Sequence, residues 1–479
     1  MNEVNILFLP VRQFCRQQVV TTVPDDLLVN AAATMRQHTI SSIVVCEQGA
    51  PVGIVTDRDM RNKIIARGLD PNRLTVRDIM NSPLITVDED VFVFEALYQM
   101  SKNGIHRVGV IDRQGRLVGI ITDSDILRLQ SRSPQLLIRK IEEATTLQEL
   151  QELHLQVQKL VVHLVGTGVQ TSELVRVIAH LNDHLLLRLI VLLRDSRFPD
   201  LPARFAFIVL GSEGRQEQTL TTDQDNAIVY ADDLSTDEIA RIEAFSRELI
   251  EQLIAMGVPE CPGGIMASNG EWRRSLEGWN EVLESWLGQP TPEHILTGSM
   301  FFDLRTIYGD PTLERALKSH IASWLQIEPF FLRYAAANVL RFEPPLSWTG
   351  RVKVERKGEH RGLVDIKKAG IFAITEGVKV LALEAGIVDG GTRERLTALV
   401  TAGTLTPVQA EDLESSFNFM VHLRLRGQVA AIQEGREPTN FIDLRQLNRM
   451  EQGRLQMALE GVRTFQSFLK LRFDLDMLR

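Results

Sequence analysis

The N-terminal part of the chain writes one hydrophobic pattern twice. Pro51-Val-Gly-Ile-Val-Thr-Asp-Arg-Asp-Met60 matches Leu117-Val-Gly-Ile-Ile-Thr-Asp-Ser-Asp-Ile126, and upstream Thr22-Val-Pro-Asp-Asp26 matches Thr86-Val-Asp-Glu-Asp90. Each copy predicts an amphipathic helix (about 27–37 and 91–102), an apolar strand (42–46 and 107–111) and a turn at Gln48-Gly49 or Gln114-Gly115. A second strand then runs into Thr-Asp-x-Asp and a helix. The period is about sixty residues of β-α-β-β-α, half of a small module.

After Ser131-Arg-Ser-Pro134 the pattern changes to helical spacing. Leu147, Leu150, Leu153, Val157, Leu160 and Leu164 recur every three or four residues, and a second helix runs from Ser172 to Leu193 beyond a Gly166-Thr-Gly168 break. Two apolar runs, Phe205–Leu210 and Asn226–Tyr230, predict buried strands, and a long helix follows from Thr236 to Met256. Ser299-Met-Phe-Phe-Asp-Leu-Arg305 reads as a third strand with Asp303 inside it. Beyond Asp310 helical patterns dominate, with turns at Pro344-Pro345, 386–391 and Gly403. The implied divisions are 10–68 and 74–132 for the repeats, 135–198 for a helical hairpin, 199–320 for an α/β domain and 321–479 for a helical domain.

Composition narrows the class. A chain of 479 residues needs two to four domains, and 44% hydrophobic with 24% charged residues is ordinary for a soluble protein. The net charge of −9 argues against a general nucleic-acid binder. Cys15, Cys46 and Cys261 have no metal-ligand or disulfide spacing, which fits a reducing cytoplasm. The most apolar run, Leu185–Leu193, falls short of the roughly 20 residues a membrane span requires and holds Arg188. The first residues lack the basic flank of a secretory signal.

Candidate chemistry concentrates between the first two apolar strands, in Leu210-Gly-Ser-Glu-Gly-Arg-Gln-Glu-Gln-Thr-Leu-Thr-Thr-Asp-Gln-Asp-Asn226. Residues two apart on a strand share a face, so Asp223 and Asp225 are expected to point the same way. Gly211 lets the backbone approach a phosphate, and Ser212 with adjacent N–H groups can hold β- and γ-phosphates. Paired aspartates suit one or two Mg2+ (or Mn2+) ions. Asp303, costly to bury alone, is expected to be a third ligand, against the plainer reading of an ion pair with Arg305 or another basic group. His180 and His184 stand four apart without an acidic partner motif, which favours packing over metal binding. Cys261 has no histidine arrangement that would make it a nucleophile. Arg273 and Arg274 suit a phosphate or a solvated helix face equally.

Gly-Ser, Asp-x-Asp and a later carboxylate resemble the polymerase-β-like nucleotidyltransferases. The longer motif, Gly211-Ser212-x-x-Arg215-x-Glu217 with Thr222-Asp223-x-Asp225, resembles relatives of the protein-PII uridylyltransferases, and more closely their signal-transduction branch with CBS domains. The resemblance covers about 140–479. It implies transfer of a nucleoside monophosphate from an NTP to a hydroxyl acceptor, a protein among the candidates, with Asp223, Asp225 and Asp303 holding metal. Arg215 would contact phosphate, Glu217 would orient it, and Asp365 with Lys368 would sit on a helical domain closing over the nucleotide. Ordinary salt bridges explain Arg215, Glu217, Asp365 and Lys368 as the plain alternative. The His-Asp dipeptide of the uridylyl-removing hydrolase is absent from the sequence, so one-way transfer is expected. The cyclic-nucleotide-binding domain often found ahead of the CBS pair is not expected here, because the first repeat begins almost at Met1.

The repeats resemble a tandem CBS (Bateman) module, which implies an AMP, ADP or ATP ligand. The resemblance assigns phosphate to Thr56 and Thr122, and ribose to Asp59 and Asp125. Helix capping by the same residues is the structural alternative. His106-Arg107 reads as an exposed strand-edge pair. By analogy with such modules the chain would dimerise through its repeats. The expected fold is thus a multidomain α/β chain with a tandem β-α-β-β-α module, a helical linker, a nucleotidyltransferase domain and a C-terminal helical domain. A nucleotide-sensing protein without catalysis is the alternative function.

Overall fold

The computed structural model describes residues 10–15, 19–130, 134–166, 169–220, 224–328 and 330–477. It divides into two units, Met1–Leu136 and Leu137–Arg479. Asp223 and Thr222, and the Ser131–Ser133 junction, lie outside the described residues.

The first unit holds the repeat as two three-stranded sheets. In one, β1 (Thr21–Thr22) runs parallel to β2 (Ser42–Glu47), which pairs antiparallel with β3 (Ala50–Thr56). In the other, β4 (Thr86–Asp88), β5 (Arg107–Ile111) and β6 (Leu117–Thr122) repeat that topology. Each hairpin carries a register shift at the same place, Val45/Cys46 and Val110/Ile111. The helices explain why each copy has its own core. Leu28–Gln37 buries Leu28, Ala31 and Met35, and Val93–Asn103 buries Val93, Ala96 and Met100. Both use a three-then-four spacing that puts the apolar residues on one stripe. Two separate hydrophobic clusters result.

The second unit begins with helices Pro134–Glu143, Leu147–Val165 and Thr171–Arg197, one more than the expected hairpin. Thr146 and Glu149 form a capping box that starts the second of these. The α/β part is a four-stranded sheet in the order β10-β7-β8-β9, with β7 (Phe205–Val209), β8 (Asn226–Tyr230), β9 (Arg273–Ser275) and β10 (Arg305–Gly309). All five residues of β7 are buried, as its unbroken apolar run predicts for a central strand. The segment read as a third strand over 299–305 is instead the end of helix Pro292–Phe301, a turn at Asp303, and the start of β10. β10 pairs with β7, away from the Asp-x-Asp side of the sheet. Helices Phe372–Glu384, Thr392–Thr401, Pro407–Gln433 and Arg449–Arg472 build most of the C-terminal part, which shares one hydrophobic core with the α/β part. Among the described residues no helix is long and apolar enough to cross a membrane.

An aromatic cluster of Trp272, Trp279, Trp286 and Phe301 packs beside β8. Trp279 is fully buried, and its indole N–H donates to the Ile228 carbonyl of β8 at 2.9 Å. Trp279→Phe removes that hydrogen bond from a dry core, so unfolding by denaturant should show a loss of about 0.5–1.5 kcal/mol. A midpoint unchanged from the parent would refute the assignment.

Candidate active site

The sheet delivers two adjacent chain segments to one edge. Val209 ends β7, and the Leu210 N–H donates to the Asp225 carbonyl at 2.9 Å, so the glycine turn and the start of β8 leave the sheet side by side. Gly211 takes φ +55°, a left-handed conformation that favours glycine. A Cβ there would lie 3.4 Å from Asp225 Oδ2. The turn Gly211–Gly214 follows, with Ser212 half-buried. Asp225 precedes β8 rather than lying within it, so strand alternation does not set its direction. The Cys261 thiol hydrogen-bonds Asp225, and burial together with that contact pushes the thiol up to about 11. Cys261 therefore favours the protonated thiol near neutral pH, which argues against a nucleophile.

The far end of the turn is pinned rather than open. A Cβ on Gly214 would stand 1.7 Å from the Asp303 carbonyl oxygen, so only glycine permits this approach. Arg215 Nε donates to Glu217 at 2.7 Å, and its Nη1 donates to Asp303. Glu217 in turn accepts the N–H of Thr392 at 2.5 Å, at the start of helix Thr392–Thr401. The Arg-x-Glu motif thus joins the turn to the C-terminal helices. Arg215, expected to contact phosphate, spends its guanidinium on two carboxylates. The expected ion pair with Glu217 is present, but it is nearly buried rather than a surface bridge.

Asp303 corrects the expected metal ligand. Its side chain is 0% exposed and meets three cations: Lys379 Nζ at 2.7 Å, Arg395 Nη1 at 2.7 Å, and Arg215. Burial pushes this carboxyl up, but Lys379, Arg215 and Arg395 outweigh it and hold it far below the usual carboxylate range. Arg305, the partner first considered, forms a bidentate pair with Asp183 instead. Lys379 and Glu376 extend the cluster to Ser299, whose hydroxyl donates to Glu376 and whose carbonyl accepts from Lys379 at 2.6 Å. Sequence reading missed Lys379, Arg395 and Glu376. The signal was available for one of them: Lys379 stands inside Gly-Val-Lys-Val-Leu-Ala-Leu, where a lone charge needs a partner as much as Asp303 does.

The remaining expected residues fall elsewhere. Lys368 is 64% exposed and 3.6 Å from Asp365, and among the described residues no ion pair or hydrogen bond joins it to the glycine turn. Arg273 is buried and donates to the Ala267 carbonyl at 2.7 Å, a structural role. Glu213, inside the turn, is buried near Asp183 and Asp225, which raises its carboxyl to about 8. In the repeats, Thr56 and Asp59 cap each other: the Thr56 N–H and hydroxyl both donate to Asp59, which also accepts from Asn81 at 2.8 Å. Thr122 and Asp125 cap each other in the same way. His106 pairs with Asp123 at 2.7 Å, while Arg107 is half-buried and feels the charges of Asp123, Asp57 and Asp125. Arg107 thus links the Thr-Asp-x-Asp segments of both repeats.

Sequence families match the repeats, most of the α/β part and the C-terminal helical part. "CBS domain" matches residues 11–66 and 76–132, "Putative nucleotidyltransferase DUF294" matches 155–293, and "Putative nucleotidyltransferase substrate binding domain" matches 329–473. The chain belongs to the DUF294 family and carries a tandem CBS pair. The uncharacterized protein MK0525 of Methanopyrus kandleri is 40% identical over 29% of this chain and 70% of its own length. The CBS domain-containing protein YhcV of Bacillus subtilis is 32% identical over 24% of this chain and 81% of its own. Among solved structures, the CBS domain pair of MJ0100, in complex with 5'-methylthioadenosine and S-adenosyl-L-methionine, aligns at 32% identity and TM-score 0.23, over 25% of this chain and 98% of that one. In this DUF294 protein the second matched segment ends before Asp303, and the third contains both Lys379 and Arg395.

Two predictions follow from the charge cluster and the turn. Asp303→Ala removes the carboxylate shared by three buried cations and leaves Arg395 with none, so stability should fall by about 3–5 kcal/mol in denaturant titration; a metal ligand would instead lose activity at unchanged stability. Glu213 is neutral in the fold up to about pH 8 but ionises near 4.5 when unfolded. Its raised value stabilises fully below the unfolded value and is lost as pH rises through the folded one. In metal-free buffer the parent should therefore lose stability relative to Glu213→Gln between about pH 4.5 and 8, then level off. A pH-independent difference would refute this.

Proposed function

We propose that this protein is a nucleotidyltransferase, moving a nucleoside monophosphate from an NTP to a hydroxyl acceptor, with adenine nucleotide at the CBS pair as regulator. The observation that carries the reading is the close approach of Gly211 to the Asp225 carboxylate at the edge of the sheet. The membership in DUF294 supports it.

The donor set fits Mg2+ or Mn2+, hard ions that take one or two carboxylates and complete their shell with substrate phosphates. Asp225 and Asp223 would hold the ion, and when bound it neutralises charge on the transferring phosphate. Ser212 and the N–H groups opening the turn hold the terminal phosphates. Lys368, exposed on the helical part, is the proposed phosphate contact from that side. The acceptor oxygen bonds to the α-phosphorus, the bond to pyrophosphate breaks, and the acceptor proton passes to a carboxylate of the Asp223/Asp225 pair. Asp303, Arg215 and Glu217 act at a distance by holding the turn. The acceptor is proposed to be a protein, by family resemblance, and the chain to act as a cytoplasmic homodimer through its CBS pair.

In each repeat the Thr and Asp of the capping box (Thr56 and Asp59, Thr122 and Asp125) are proposed to exchange part of that bonding for ligand phosphate and ribose. The engagement of Asp303 by three cations favours one second reading: a nucleotide-sensing protein that binds without transfer, because the site keeps two carboxylates rather than three.

Incubation with Mg2+, each labelled NTP and cell extract should release pyrophosphate and label an acceptor. Asp225→Asn should lower the rate roughly 100-fold or more. Nucleotide binding without pyrophosphate in any arm would select the sensing reading. AMP, ADP, ATP and S-adenosylmethionine, titrated against Asp59→Ala and Asp125→Ala, test the CBS assignment. Affinities unchanged by both variants would remove it.

A further inference from the structure

The register of the sheet sets Arg305 beside the glycine turn. Arg305 opens β10 and pairs with Val209, the last residue of β7 and two residues before Gly211. From there its guanidinium reaches the carbonyl end of the turn. Nε donates to the Gly214 carbonyl at 3.2 Å, and Nη2 donates to the Glu213 carbonyl at 2.9 Å. The same fork grips Asp183 through Nη1 at 3.0 Å and Nη2 at 2.8 Å. These contacts use most of the donors a guanidinium has. The other carbonyls of the turn are met by the chain that follows: Gly211 accepts from the Arg215 N–H at 3.1 Å, and Ser212 from the Glu217 N–H at 2.8 Å.

Asp183 lies on helix Thr171–Arg197 and does more than balance Arg305. It also accepts from the Gln216 side chain at 3.1 Å. Gln216 takes φ +58°, a left-handed conformation that is costly for residues other than glycine and persists where the surroundings impose it. Asn182, next to Asp183 on the helix, donates to Gln218 at 3.2 Å. The helix therefore holds the exit of the turn at Gln216 and Gln218, and holds its last two carbonyls through Arg305. Asp303 pairs with Arg215, Lys379 and Arg395 instead, so two separate sets of charges hold the turn.

We propose that Asp183 and Arg305 are positioning residues for the nucleotide: they fix the carbonyl end of the turn so that its opening N–H groups stay aimed at the phosphates of an NTP. The proposal rests on the nucleotidyltransferase reading. The pair acts by position rather than by attraction. The Asp183 carboxylate offsets the guanidinium charge, so the two together exert little net pull on a phosphate. The planar fork is also what lets one side chain span a carboxylate and two successive carbonyls, which the point charge of a lysine does not reproduce.

The test uses the full chain and the NTP that gives most pyrophosphate with the parent. It reads KM, kcat, and hydrogen exchange of segment 210–217 without nucleotide. Asp183→Asn is nearly isosteric and Arg305→Lys keeps the charge. Each should raise KM about tenfold, the loss of one charged contact, with a smaller fall in kcat. Exchange should speed in the turn more than in the rest of the chain. Asp183→Asn separates position from attraction, because an Arg305 freed of its counter-ion would tighten the NTP if it acted by charge. A KM unchanged or lowered in that variant, or exchange raised evenly through the chain, overturns the proposal and leaves the transferase reading standing. A parent that releases no pyrophosphate sinks the transferase reading and this proposal with it.

Discussion

One buried carboxylate organises the second unit. Asp303 lies between the helix Pro292–Phe301 and the edge strand β10, and its two oxygens meet cations from three separate segments. Three positive groups around one negative group would be unstable alone. Glu217 on Arg215 and Glu376 on Lys379 bring the cluster to three charges of each sign. Burying such a set gains little net energy over apolar packing, but removing a member is expensive. The cluster therefore acts as a specification. It admits one arrangement of the glycine turn, the sheet edge and helices Phe372–Glu384 and Thr392–Thr401, and penalises the others.

That role explains what the sequence disclosed and what it hid. The repeats were legible because periodicity is local: the same three-then-four spacing and the same Thr-Asp-x-Asp segment recur within each copy. The strands β7 and β8 were legible because unbroken apolar runs between turn residues have few other readings. For Asp303 the burial argument was sound and the inferred partner was not. Its partners lie 88 residues earlier, at Arg215, and 92 later, at Arg395, beyond any window of local pattern. The strand assigned around it failed for a related reason. Met-Phe-Phe is equally apolar at the end of a buried helix, and periodicity over so short a run does not separate the two.

The motif Gly-Ser-x-x-Arg-x-Glu divides into two functions that sequence cannot distinguish. Its first half opens at Gly211, beside Asp225, and its second half, Arg215-x-Glu217, joins the helical part. A motif usually read as one phosphate site divides here into a proposed site and its anchor. The Thr-Asp pairs of the repeats show the same economy: one pair of side chains closes a helix start, and the groups it uses are those proposed for the nucleotide.

The anchor also sets how a signal could reach the turn. A ligand shifts an equilibrium only by the difference in its affinity for two arrangements. Arg395 holds Asp303 through its Nη1, and Asp303 holds Arg215, so the turn is tied to helix Thr392–Thr401 through buried charges. Any arrangement that releases the turn must break contacts to a buried carboxylate that cannot stand alone. The coupling is therefore expected to be steep: the turn is held by the whole cluster or freed by the loss of one member, with little between.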